Sequence, residues 1–307
     1  MTLRTICPEP RRLTSRVYVA SACGRVAPRA AAFDRVVIVG EEYEAEERLE
    51  LYNSLGVEAI LYPLSSGKTP TMLSLVRLVY EAMPAEHERL LIEGFGAEGV
   101  VAAAFLMVLE AVHPREAASR LLAMGHGLTT PLDSRLLYLL HRVLETSPEG
   151  FHSVAETVKT GYREGFLHGD GHASSVAELA VEINEGLTRL GYYTGYTPYS
   201  LFRDAVLHTD EPSNPIHGAA AALDSTLTGA VKTVALERGS GRLRVLVGCE
   251  LLLHQDQCWP EVDAAAEKIA WIARRAGLER VEYIMASPEE VACLQYAEID
   301  RGLCEEA

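Results

Sequence analysis

The segment Glu93-Gly94-Phe95-Gly96-Ala97-Glu98-Gly99 lies between the apolar run Leu90-Leu91-Ile92 and the apolar stretch Val100–Leu109. A strand that passes through such a loop into a helix points backbone N–H groups and the positive helix end at one place. The chemistry this suits is anion binding, with Gly94, Gly96 and Gly99 letting the backbone approach closely. Glu93 and Glu98 oppose it. Like charges about 4–6 Å apart at an effective dielectric near 20 repel by several kcal/mol. A second set of residues suits cations: His168, Asp170 and His172, followed by His208, Asp210 and His217. Imidazoles and carboxylates in such a set are donors for a divalent metal such as Mn, Fe, Zn or Mg.

Four weaker patterns accompany these. Gly94-Phe-Gly-Ala-Glu-Gly99 has dinucleotide-site spacing, but more helix follows where a strand ending in an acidic residue is required. Gly67-Lys68-Thr69 resembles the end of a phosphate loop, yet Tyr62 stands where its first glycine belongs. Cys23 and Arg29 are spaced as a nucleophile and a phosphate clamp, with Pro28 interrupting the amides between them. Cys249, His254 and Cys258 are candidate zinc donors.

The elements that must carry these residues follow from periodicity. Strands are expected at Val17–Ala20, Val36–Val39, Val57–Tyr62 and Leu90–Glu93, with helices near 44–55, 70–83, 99–112, 115–124 and 132–145. Alternation of this kind predicts a parallel sheet with flanking helices. Ser147-Pro-Glu-Gly150 breaks the pattern, dividing the chain into domains 1–146 and 147–307. The second domain is expected to be mainly helical. Leu179, Ala180, Ile183, Leu187 and Leu190 form one helical stripe. A Tyr- and Gly-rich loop follows at 191–200, with Tyr192, Tyr193, Tyr196 and Tyr199 read as packing that loop onto the core. A shorter helix ends near His208. Residues 230–248 read as a β-hairpin, Pro260 opens a helix reaching about Ala276, and Val281–Met285 is a last strand.

Composition narrows the partners. The net charge is −15 over 307 residues, with 48% hydrophobic and 23% charged content, as in a globular protein. Residues 147–307 hold 13 Lys and Arg against 25 Asp and Glu. That excess disfavours nucleic acid and anionic membranes as partners. Neither a leader segment nor a membrane span is legible, so a cytoplasmic location is expected. The six cysteines form no Cys-x-x-Cys pair.

Gly56-Val-Glu-Ala-Ile-Leu-Tyr-Pro63, Gly67-x-x-Pro70, the following helix and Leu90-Leu-Ile-Glu93 with its glycine loop resemble the dual-specificity branch of the protein tyrosine phosphatases. Glu116-Ala117 and Pro131-Leu-Asp-Ser-Arg-Leu-Leu-Tyr-Leu-Leu140 extend the resemblance, which spans about residues 14–145. The resemblance implies a loop of His-Cys, five residues and Arg, in which the thiolate attacks and the guanidinium clamps phosphate. It also implies an Asp that protonates the leaving group. Residues 93–99 contain neither Cys nor Arg, and Leu64-Ser65-Ser66-Gly67 has Ser in place of that Asp. The residues left to face a ligand are Gly94, Gly96, Gly99, Ser65 and Ser66.

Residues 160–285 resemble the HD domain in exopolyphosphatase and guanosine-pentaphosphate phosphohydrolases. The residues concerned are Gly161-Tyr-Arg-Glu-Gly165, Gly171-His-Ala-Ser-Ser-Val-Ala-Glu-Leu-Ala180, Leu201-Phe-Arg-Asp-Ala-Val-Leu-His208 and Ala220-Ala-Ala-Leu-Asp224. The resemblance implies metal ligands at His172 and His208. His208 is followed by Thr209 rather than Asp, and Ala221 stands where a last Asp belongs. The sequence thus predicts a two-domain α/β and HD-like α+β protein without phosphatase chemistry. It would bind or regulate, with a small phosphate-containing ligand or a protein partner, or form a homo-oligomer. The alternative is a metal-dependent phosphohydrolase of a small phosphate ester or nucleotide.

Overall fold

The computed structural model describes residues 9–23, 32–163, 170–209, 211–224, 231–239, 242–250, 268–272, 274 and 280–305, with Glu42, Glu44 and Asp170 described by backbone alone. It divides into two compact units, Met1–Pro70 with Arg77–Leu137, and Thr71–Val76 with Tyr138–Ala307.

The first unit contains β1 (Arg11–Arg12), β2 (Val17–Ser21), β3 (Arg35–Gly40), α1 (Glu42–Ser54), β4 (Glu58–Pro63), β5 (Leu90–Gly94), α3 (Glu98–Glu110) and α4 (Pro114–Ala123). Two helices, α2 (Met72–Ala82) and α5 (Pro131–Thr146), contribute residues to both units. The sheet order is β1-β2-β5-β3-β4. All neighbours are parallel except β1, which runs antiparallel to β2. The expected strands are therefore present within a residue or two. β5 lies at the centre, with Ile92 opposite Val19 on one side and Val37 on the other. Its five residues are all buried, which explains a run apolar on both faces rather than alternating. The strand order reverses around β5, the kind of switch point where open α/β sheets form a crevice at their carboxyl edge.

Two helices shape that edge. On α1, Ala45, Arg48 and Tyr52 are buried at helical spacing, so an apolar face also carries a cation and a phenol inward. Helix α3 is buried from Glu98 through Met107. It ends at Ala111, whose φ of 52° is left-handed, a conformation that favours glycine.

The second unit contains α6 (Phe151–Arg163), α7 (Asp170–Arg189), α8 (Pro198–Leu207), α9 (Pro215–Leu223), β6 (Val231–Gly239), β7 (Arg242–Cys249), β8 (Arg280–Ala286), α10 (Pro288–Tyr296) and α11 (Arg301–Glu305). β6 and β7 form the expected antiparallel hairpin, and β8 pairs with β7 in parallel. The helix expected from Pro260 falls mostly outside the described residues, of which 268–272 are helical. Helix α10 was not expected. A readable signal marks it, the capping box of Ser287 and Glu290 around Pro288.

Leu179, Ala180, Ile183 and Leu187 of the stripe are buried as expected while Leu190 lies beyond α7 and is half-buried, and the helix also buries three carboxylates, Glu178, Glu182 and Glu185. Glu182 accepts the Thr233 hydroxyl at 2.7 Å, the Val234 amide at 3.1 Å and the Tyr296 hydroxyl at 3.1 Å, tying α7 to β6 and α10. A Cβ on Gly186 would lie 2.9 Å from Leu236, so glycine allows the helix and strand to approach this closely. Cys293 and Cys304 are joined in a disulfide between α10 and α11, and Cys23 and Cys249 each take part in a further disulfide. No described helix is long and apolar enough to cross a membrane.

Candidate functional site

The glycine loop joins the end of β5 to the start of α3, at the carboxyl edge of the first unit's sheet. Its two glutamates take different partners. Glu93, fully buried at the end of β5, forms an ion pair with the Arg48 guanidinium and accepts the Tyr52 hydroxyl at 2.9 Å. Burial pushes the Glu93 carboxyl above its ordinary value, against the opposing pull of Arg48 and Tyr52. Burial and then the charge of Glu93 raise the Tyr52 phenol, which stays a donor. Nε and Nη1 of Arg48 are buried without a hydrogen-bond partner among the described residues.

Glu98 opens α3 and turns back into the loop. Its Oε2 accepts the Gly96 N–H at 2.8 Å, its Oε1 lies 2.9 Å from His126 Nδ1, and the Ser21 hydroxyl donates to Oε1 at 3.4 Å. Burial raises the Glu98 carboxyl, but the hydrogen bonds from His126 and the loop amides outweigh it and hold the group below its ordinary value. A carboxylate in the first turn of a helix is also favoured by the helix dipole. The loop amide of Gly96 is thus taken by a carboxylate of the chain itself.

The three glycines follow from this arrangement. A Cβ on Gly94 would lie 2.4 Å from Glu98 Cβ and Oε2, so only glycine lets that carboxylate fold back. A Cβ on Gly99 would lie 2.3 Å from the Gly127 carbonyl, where the turn after α4 brings His126 to the site. Gly96 has φ +101°, and a Cβ there would stand 3.3 Å from Ser66 Oγ. The structure thus gathers Gly94, Gly96, Gly99 and Ser66, whereas Ser65 closes its own turn through a carbonyl that accepts the Lys68 N–H at 3.1 Å. Asp133 fixes the far end of that turn, accepting the Thr69 hydroxyl at 2.8 Å and the Thr129 amide at 2.9 Å.

Sequence reasoning took Glu93 and Glu98 as charges that repel each other and any phosphate. Glu98 does raise the Glu93 carboxyl by repulsion, and the structure adds that each carboxylate also has its own donors. It missed Arg48, Tyr52 and His126, although the four-residue spacing of Arg48 and Tyr52 on one helix was a signal. Two minor readings are also corrected. Cys23 is oxidised and offers no thiolate to pair with Arg29, and the disulfide at Cys249 removes a zinc donor.

The residues proposed as metal ligands are distributed as follows. His168 and Asp210 lie outside the described residues, and Asp170 is the first residue of α7. His172 Nδ1 pairs with Asp224. His217 is fully buried, with Nδ1 3.2 Å from Asp204 Oδ2, and burial lowers its pKa. His208 caps the end of α8, its N–H donating to the Asp204 carbonyl at 2.8 Å. Each of two imidazoles thus has a separate aspartate. Among the described residues no group of three His, Cys, Asp or Glu side chains is placed to hold a metal.

No family model matches the chain, and no curated protein matches it. Among solved structures, the crystal structure of Tk-PTP in the active form is similar at 25% identity and a TM-score of 0.38, covering 42% of this chain and 94% of that one. A mutant form of Tk-PTP is similar at 25% identity and a TM-score of 0.40, covering 46% of this chain and 99% of that one. The chain thus has weak structural similarity to a tyrosine phosphatase over less than half its length. The HD resemblance gains no support from these matches.

Proposed function

We propose that this protein is a phosphatase-like scaffold that binds or regulates without hydrolysing phosphate esters. One observation carries the reading: the Glu98 carboxylate accepts the Gly96 amide at 2.8 Å and meets His126 at 2.9 Å, inside the loop a phosphate would need. A tethered group competes at a high effective concentration, so free phosphate is displaced before it binds. The absence of Cys and Arg from residues 93–99 supports the same reading. Ser21 is no substitute nucleophile, because its hydroxyl donates to the carboxylate rather than to an imidazole base.

The test is turnover of para-nitrophenyl phosphate and a phosphotyrosine peptide by the full chain. The expected result is a rate equal to that of buffer. Hydrolysis that disappears in Glu98→Gln would overturn the proposal.

A further inference from the structure

The second unit holds a cavity of about 510 Å³ whose walls include Tyr192, Tyr193, Tyr196, Pro215 and Trp271. That is within the size range of small-molecule sites. The Tyr-rich loop was expected to pack onto the core. Instead Tyr193 is 95% exposed, Trp271 45% and Tyr196 38%. Tyr199 alone among the four tyrosines is fastened inward, its hydroxyl 3.2 Å from that of Thr157. Clustered exposed rings carry a hydration cost that a ligand removes.

The loop is held in place before any ligand arrives. Gly191 has φ +86°, and the amides of Gly191 and Tyr192 return to the carbonyls of Thr188 and Leu187 at 2.9 Å each, closing the end of α7. The Thr194 hydroxyl bonds Asn184 on α7 and accepts the Tyr196 N–H at 3.2 Å. On the α9 side, Asn214 caps the helix and donates to Asp204 at 2.7 Å. Rings mounted on such a frame lose little freedom on binding.

We infer that this cavity binds a small organic cation of the methylated-ammonium class. Among the described residues no charged side chain lines it, so those residues offer an anion no guanidinium or ammonium. Tyr and Trp faces carry negative π-density and attract cations, most strongly where water is excluded. The surrounding chain adds a favourable field, because residues 147–307 carry a net charge of −12. The Tyr192 hydroxyl is buried without a partner among the described residues and supplies one polar contact.

The test is calorimetric titration of the full chain with choline and with its neutral isostere dimethylbutanol. Choline is expected to bind about tenfold or more tightly than the isostere. Tyr193→Ala and Trp271→Ala should each weaken choline about tenfold, and Tyr193→Ala should leave the melting temperature unchanged, since that ring is exposed. Equal affinity for the two compounds would show a merely apolar cavity and overturn the inference. So would the absence of choline binding at millimolar concentration, or displacement of choline by phosphate. Phosphatase turnover plays no part in this readout, so it stands or falls apart from the glycine loop.

Discussion

The amide of Gly96 donates to the Glu98 carboxylate, two residues further along, at 2.8 Å. The same carboxylate reaches His126, 28 residues away, so a local turn and a distant loop share one anion. This single side chain accounts for the glycine at position 94.

Removing the tethered anion should expose the cradle. In Glu98→Ala the Gly96 amide and the start of α3 lose their acceptor, at a stability cost of about 1–3 kcal/mol. Phosphate or orthovanadate should then raise the melting temperature of the variant and leave the wild type unmoved. Calorimetry across a phosphate series checks this, and an equal response from both proteins would show that the loop is not the binding place.

Acid should reveal the same carboxylate. Its folded pKa is below the unfolded one, so ionised Glu98 stabilises the fold above the unfolded value, and that contribution disappears as pH falls through the folded value. Glu93 is shifted the other way, so its contribution is greatest in acid and declines as pH rises past the ordinary carboxylate range. Urea midpoints of wild type and Glu98→Gln between neutral pH and the acid range separate the two. The variant should lose less stability on acidification.

Most elements of both units were legible because their signals are local, with α10 the exception. Strand runs such as Val36–Val39 and the helical stripe on α7 follow from periodicity within one segment. The glycine loop between β5 and α3 was legible for the same reason. What fills it was not, because Glu98 finds His126 only after α3 and α4 have packed. Arg48 likewise meets Glu93 across 45 residues, and a one-dimensional count of charges registers only a net sign. The tyrosines misled in the opposite direction. Composition suggests burial, whereas the pinning of their loop by Thr194 and Asn184 leaves three of the four lining a cavity.

Glu182 should be among the costliest single sites in the second unit. It satisfies Thr233, Val234 and Tyr296 at once in a fully buried position. Glu182→Leu strands those donors and should cost about 3–5 kcal/mol, at the high end for one substitution. Chemical denaturation measures this, and a loss within about 0.5 kcal/mol, as for an ordinary surface change, would contradict the tie between α7, β6 and α10.

Ala111 offers a gain. Its left-handed φ of 52° strains a residue with a Cβ, so Ala111→Gly should stabilise the fold by about 0.5–1 kcal/mol despite the greater freedom of unfolded glycine. A rise in melting temperature with an unchanged far-ultraviolet spectrum is the expected result.

Assay buffers for thiol-dependent phosphatases carry dithiothreitol to protect the attacking sulfur. Here the same additive has nothing to protect in the glycine loop, and it would cut the Cys293–Cys304 link between the last two helices. Every described cysteine is crosslinked, so routine reducing conditions would replace the native connectivity with an open-chain form whose properties are not those of the intact fold.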